Sequence, residues 1–186
     1  MTAFVLAWFL SASTGQGNEL KAGAACVDIT PSGTVYLAGW SPYRVSQGIE
    51  TRLKVNIIAL ESVDAKGKQT DTAFILVFDL ISVRVGLMSP LRQALAKECP
   101  ELNLDKFLFS GTHTHCAPLL SDQQVTKTEG IMLPSEYIRE IVPKVVAGVK
   151  KAWSTRQKAS FSFGLGEAVV ARTRVTRYVD GTSKMF

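Results

Sequence analysis

Two nearly continuous apolar runs, "TAFILVFDL" at 72–80 and "DKFLFSG" at 105–111, constrain this chain more than any other feature. Runs of this length without polar alternation are expected of central strands covered on both faces. Between them, residues 84–98 read as a helix. Ser89-Pro90 suits an N-cap and first helical position, and "LRQALAKE" is rich in helix formers. The flanking text alternates in the same way. "AGAACVDIT" (22–30) reads as a first strand stopped by Pro31, and "LKVNIIALES" (53–62) as a half-buried strand followed by the turn "DAKGKQ".

Ser135 suits the N-cap of a second helix reaching Trp153. Its apolar stripe is Ile138, Ile141, Val142, Val145, Val149 and Trp153, and Pro143 within it predicts a kink. "ASFSFGLGEA" (159–168) and "VVARTRVTRY" (169–178) read as closing strands before a "DGT" turn. The order βββαβαββ predicts an α/β fold, a mixed β-sheet with flanking helices. Nothing closes the chain after its last turn, and the expectation is an incomplete catalytic domain spanning 22–186.

The opening stretch differs. Residues 3–10 are continuously apolar and "SAS" at 11–13 offers small residues suited to cleavage, so 1–21 reads as a signal peptide or leader. The expected location is secreted or periplasmic, with no transmembrane span in the mature chain. With 46% hydrophobic and 20% charged residues, the rest can bury a core. A net charge of +5 comes from scattered Lys and Arg without a basic stripe, which argues against nucleic acid. Three cysteines, Cys26, Cys99 and Cys116, lack CxxC spacing and form no disulfide framework. Cys116 has the position of a nucleophile, but a small buried packing residue is the better expectation.

Both histidines of the chain, His113 and His115, fall in "FLFSGTHTHCAP" (107–118). On a strand, residues two apart point to one side, so both rings can face one cavity. At the carboxyl end of a strand in an α/β sheet that cavity is where ligands bind. Neutral imidazole is a favoured zinc ligand, and Gly111 lets the backbone bend before the pair. Asp79, ending "LVFDL", suits a carboxylate that orients an imidazole or takes part directly; the alternative is an Asp that marks a strand end. Spacing alone fits several metallohydrolases, and a closed site needs three or four ligands.

In order along the chain, "AGAACVDITP" (22–31), "LAGW" (37–40), Arg44 with Gly48-Ile49, "ILVFDL" (75–80), "FLFSGTHTHCAP" and "ARTRVTRYVDGT" (171–182) form a pattern. It resembles the amino-terminal part of the neutral/alkaline non-lysosomal ceramidase family, zinc amidases that cleave the N-acyl bond of ceramide. The resemblance implies a Zn cofactor and a small-molecule or lipid N-acyl substrate, with room for peripheral membrane contact. It also implies that His113 is a zinc ligand and that His115 lines the site near the substrate carbonyl. The family's remaining ligands, a His, a Glu and a Tyr, would come from downstream of residue 186, so this segment alone is expected to be inactive. Arg174 aligns with an Arg of the family's Asn-Arg pair, as a substrate-side cation or a solvated strand residue, while Thr173 replaces the Asn. Cys116-Ala117-Pro118-Leu119 replaces the family's Ser-Gly-Pro-Gly, so the acyl pocket is expected to differ. The loops 31–50 and 116–134, with Trp40, Tyr43, Leu119, Leu120, Ile131, Met132 and Leu133, offer apolar groups for a groove. Two other readings stay open: a hydrolase of the same fold acting on another amide or ester, and a non-catalytic lipid- or carbohydrate-binding module.

Overall fold

The computed structural model describes residues 19–170 and 174–185. Most of the leader (1–18) and Thr173 therefore lie outside the described residues. The chain runs β1 (Glu19–Asp28), the short pair β2 (Tyr36–Leu37) and β3 (Arg44–Val45), β4 (Lys54–Val63), β5 (Gln69–Phe78) and α1 (Val85–Glu98). It continues through β6 (Phe107–Gly111), α2 (Pro134–Ser154), β7 (Gln157–Ala159), β8 (Val175–Arg177) and β9 (Ser183–Met185). Five strands form one mixed sheet in the order β6-β5-β4-β1-β7. Neighbours are antiparallel except β5 and β6, which α1 joins as a parallel crossover. This is the α/β fold expected from the sequence.

Both helices cover the same face. Val55, Ile57 and Ala59 of β4 and Phe74, Leu76 and Phe78 of β5 bury there, against Leu87, Leu91 and Leu95 of α1 and Ile141, Val145 and Val149 of α2. Contact is close because a Cβ on Gly148 would strike Val27 and Ile57 across the interface. The reverse face carries Ala24, Ile58, Ile75 and Leu108 in register across four strands, with Ile58 44% and Leu108 59% exposed. The apolar runs are thus not buried on both sides, and 105–111 yields an edge strand rather than a central one. In β5 the helix-facing residues are fully buried while Ala73, Ile75 and Val77 between them remain half-exposed.

The helix caps differ from expectation. Helix α1 spans Val85–Glu98, in line with the 84–98 reading, but its cap is Arg84, so Pro90 lies inside it rather than at its first position. Helix α2 begins at Pro134, and its entry is closed by the Leu133 N–H donating to Glu136 Oε2, 2.8 Å away. Its expected stripe is otherwise as read: Ile138, Ile141, Val145 and Val149 are buried and Val142 and Trp153 partly so. Of the closing strands read at 159–168 and 169–178, the first meets the sheet only at Ala159, the last residue of β7, and the second supplies only β8. Residues 160–170 have no regular structure and expose Phe161, Phe163 and Leu165, while β8 and β9 make a separate hairpin around the Asp180-Gly181 turn.

Candidate functional site

The β2–β3 hairpin within loop 31–50 brings two distant loops together. Ala38 N–H donates to the Ala117 carbonyl at 2.9 Å and Leu119 N–H to the Tyr36 carbonyl at 2.8 Å, which stitches 36–38 to 117–119. That contact sets Gly39 and Trp40 beside the histidine segment at the carboxyl ends of β5 and β6.

Strand β6 stops at Gly111, so the histidines do not lie on a strand as the spacing suggested. Instead the chain follows the exit of β5. Thr112 N–H donates to the Phe78 carbonyl at 2.9 Å and His113 N–H to that of Leu80 at 3.0 Å. A side chain at Gly111 would collide with this neighbour, since its Cβ would sit 2.8 Å from Leu80 O. His113 then adopts φ +65°, the left-handed region that a residue with a Cβ seldom occupies. Backbone held there is a local cost that clusters at ligand-binding sites. The turn achieves what strand alternation would have: the two imidazole centroids lie 5.1 Å apart with planes at 78°.

Each ring is held by its own contact. His113 Nδ1 lies 2.8 Å from the Ile81 carbonyl. A carbonyl only accepts, so Nδ1 carries the hydrogen and Nε2 keeps its lone pair in the neutral ring. This is how a metal-binding imidazole is oriented by its outer hydrogen bond. The His115 ring lies against Gly39 (φ +82°), where any Cβ would overlap it. Trp40 Nε1–H donates to the His115 carbonyl at 3.0 Å, and the two rings meet edge-on at 6.3 Å. The Arg44 guanidinium stacks on Trp40, 3.7 Å from the ring centroid. Gly39 was read in the sequence only as part of a motif and Trp40 also as a groove residue, and nothing in their spacing shows that they would meet His115.

Other predicted site residues are placed elsewhere. Asp79 lies beside the start of β4, where its N–H donates to the Lys54 carbonyl at 2.8 Å and its Oδ2 accepts from Lys54 N–H at 2.9 Å. Among the described residues it bonds to neither imidazole. Arg174 is exposed just before β8, and no contact to the pair brings it to the site. Cys116 is exposed rather than buried and, with Thr114, borders a separate hollow of about 500 Å³. Among the described residues no three of His, Cys, Asp and Glu assemble into a metal site. The donors fit zinc in kind, through the open Nε2 of His113, but two imidazoles do not make a complete set.

Beside the pair opens a cleft of about 830 Å³. Gly39 and Ile81, the residues that hold the two rings, line it, as do Trp40, Tyr43, Leu119 and Leu120. Those last four were candidates for a groove in the sequence. Ile131, Met132 and Leu133 do not line it, and Met132 packs on the core instead.

No family model matches the sequence, and no curated protein matches it. The fold does match solved structures. Neutral ceramidase from Pseudomonas aeruginosa superimposes with a TM-score of 0.63 at 18% identity over 76% of this chain. A ceramidase complexed with C2 does so with 0.60 at 19% identity over the same share. The fold is that of part of a neutral ceramidase. This chain spans 22% of the length of either ceramidase structure. At such identity the ceramidase likeness establishes architecture, and the chemistry rests on the site itself.

Proposed function

We propose that this chain forms part of the catalytic domain of a zinc-dependent amide hydrolase acting on an N-acyl lipid of the ceramide type. One observation carries the reading: His113 is turned by a left-handed backbone and a carbonyl hydrogen bond so that its Nε2 is free, beside a second imidazole, within a ceramidase-like fold. When bound, zinc would supply Lewis-acid polarisation of the scissile carbonyl and a more acidic water. His113 would offer one donor nitrogen to it, and further polypeptide the rest of the set.

The chain's own groups have distinct tasks. His115, held by Gly39 and Trp40, would donate a hydrogen bond to the oxyanion that develops on the carbonyl, or pass a proton to the departing amine. Such general acid–base help contributes on the order of 10²–10⁴-fold. The adjacent cleft would give the acyl chain an apolar wall. Among the described residues no helix is long and apolar enough to cross a membrane. The apolar stretch 3–10 supports export to a secreted or periplasmic location, with substrate met at a lipid surface.

The test uses the full-length gene product. Zinc content and hydrolysis of a fluorescent N-acylsphingosine are measured for the wild type and for His113→Ala and His115→Ala. The expected result is loss of zinc with His113→Ala, and loss of turnover with retained zinc for His115→Ala. A protein that hydrolyses the amide equally well in both variants would overturn the assignment.

A further inference from the structure

We infer that the 830 Å³ cleft beside the histidines takes a single-chain amphiphile whose head is a carboxylate, with the head at Arg84 and the chain along Val83, Met88, Leu119 and Leu120. The inference deepens the hydrolase reading by naming the charge of its ligand. Its test reads binding alone, so either can fail without the other.

The volume falls within the range of about 300–1,000 Å³ that holds a small ligand. Trp40 and Tyr43 line it together with Val83, Met88, Leu119 and Leu120, and Ser41, Ser82, Ser121, Gln123 and Gln124 add neutral polar groups. The apolar residues give a hydrocarbon chain a surface to lie on. The charges then select the head. No Asp or Glu lines the cleft, and its one lining ionic group is the Arg84 guanidinium. Arg84 is exposed and uses only its Nε, donating to Ser82 Oγ at 3.0 Å, so both Nη groups remain for a planar anion. Arg44 adds a second positive charge on the Trp40 wall.

The acids nearest in sequence are turned away. Asp122, between the lining residues Ser121 and Gln123, accepts from Ser135 N–H at 2.8 Å. Asp79 is bound to Lys54. A cationic head would therefore meet the Arg84 guanidinium and no lining counter-charge, while a carboxylate finds a fork-shaped partner. The same chemistry belongs to a released fatty acid and to an N-acyl amino acid.

The experiment is calorimetric titration of the purified chain with dodecanoate, N-dodecanoylglycine, dodecanol and dodecyltrimethylammonium, each below its micelle concentration. Arg84→Gln, Arg84→Lys and Met88→Gln are titrated alongside. Both carboxylates should bind at least about tenfold tighter than the alcohol or the ammonium, as expected for one charge-assisted pair. Arg84→Gln should remove that difference, Arg84→Lys restore part of it, and Met88→Gln weaken all four. The Trp40 indole N–H resonance should shift on binding. Tighter binding of dodecanoate assigns the anion to the acyl product, and tighter binding of N-dodecanoylglycine assigns it to the amine half of a substrate. Equal affinity for all heads, indifference to Arg84→Gln, or resonance shifts confined to the Ile58–Leu108 face would overturn the inference.

Discussion

The His115 imidazole lies against Gly39 so closely that an added Cβ would fall 2.7 Å from its Cγ. Gly39 also has φ +82°, so a side chain there meets two penalties at once. The left-handed backbone costs about 1–2 kcal/mol and the forced displacement about 1–3 kcal/mol more. Gly39→Ala should destabilise the fold by about 2–5 kcal/mol in urea titration and shift the His115 ring resonances. A variant that is destabilised while the His115 resonances stay unmoved would show that the ring does not depend on this contact.

His113 separates backbone from side chain in a way two substitutions can read. At φ +65° an Ala keeps the backbone penalty and loses the ring, whereas a Gly loses both. His113→Gly should therefore be more stable than His113→Ala by about 1 kcal/mol, the reverse of the usual order of these residues. Both should lack the hydrogen bond to the Ile81 carbonyl. Denaturation midpoints of the pair decide the matter, and an Ala variant more stable than the Gly would refute the left-handed turn.

Much of this architecture is legible from periodicity. Strand β4 and the buried stripe of α2 repeat at the spacing their burial demands, and β5 shows as a continuous apolar run. What the pattern could not supply was whether the second face of the sheet is covered, because Ile58, Ile75 and Leu108 are apolar yet exposed or half-exposed. Pro90 misled for a local reason: α1 starts five residues earlier without any side-chain cap, so the only visible start signal was inside the helix. The site was legible in its residues and not in its geometry. His113 and His115 were found, but the turn that pairs them depends on a carbonyl of Ile81 thirty-two residues away. Gly39 meets His115 only because the 36–38 and 117–119 backbones bond, which no spacing announces. Asp79 had the right strand end, but its carboxylate answers Lys54.

Glu61 and Arg156 close the far side of the core. Arg156 Nε donates to Glu61 Oε2 at 2.9 Å, and its guanidinium lies 3.2 Å over the Trp153 ring centroid. Glu61 is 8% exposed, and Arg156 Nη1 is buried without a partner. Removing one member strands a buried charge, so Glu61→Ala should cost about 3–5 kcal/mol. The double variant Glu61→Leu/Arg156→Met replaces both charges with apolar volume and should recover most of that loss. Unfolding of the wild type, Glu61→Leu, Arg156→Met and the double variant in urea tests the cycle, and additive losses would show that the two side chains are not coupled.

Asp28 sets the acid limit of the sheet end. Hydrogen bonds from Thr30, side chain and backbone, hold its carboxyl well below the usual carboxylate range; desolvation opposes them, and smaller contributions from Lys54 act in the same direction as Thr30. A carboxyl depressed in the folded state contributes stability that is complete above its unfolded value of 3.8 and is lost as pH falls through the folded value. Stability should therefore drop below pH 3.8, and Asp28→Asn should flatten that part of the curve while leaving its shape above pH 5 unchanged. The larger cause is hydrogen bonding rather than the ion pairs to Lys54 and Arg52, both at 3.2 Å and partly open to water. Salt screens the second and not the first, so 0.5 M sodium chloride should remove only the smaller share of the difference between wild type and Asp28→Asn. Urea midpoints from pH 2 to 6, with and without salt, measure both effects. A difference abolished by salt would place the ion pairs, and not Thr30, in control of Asp28.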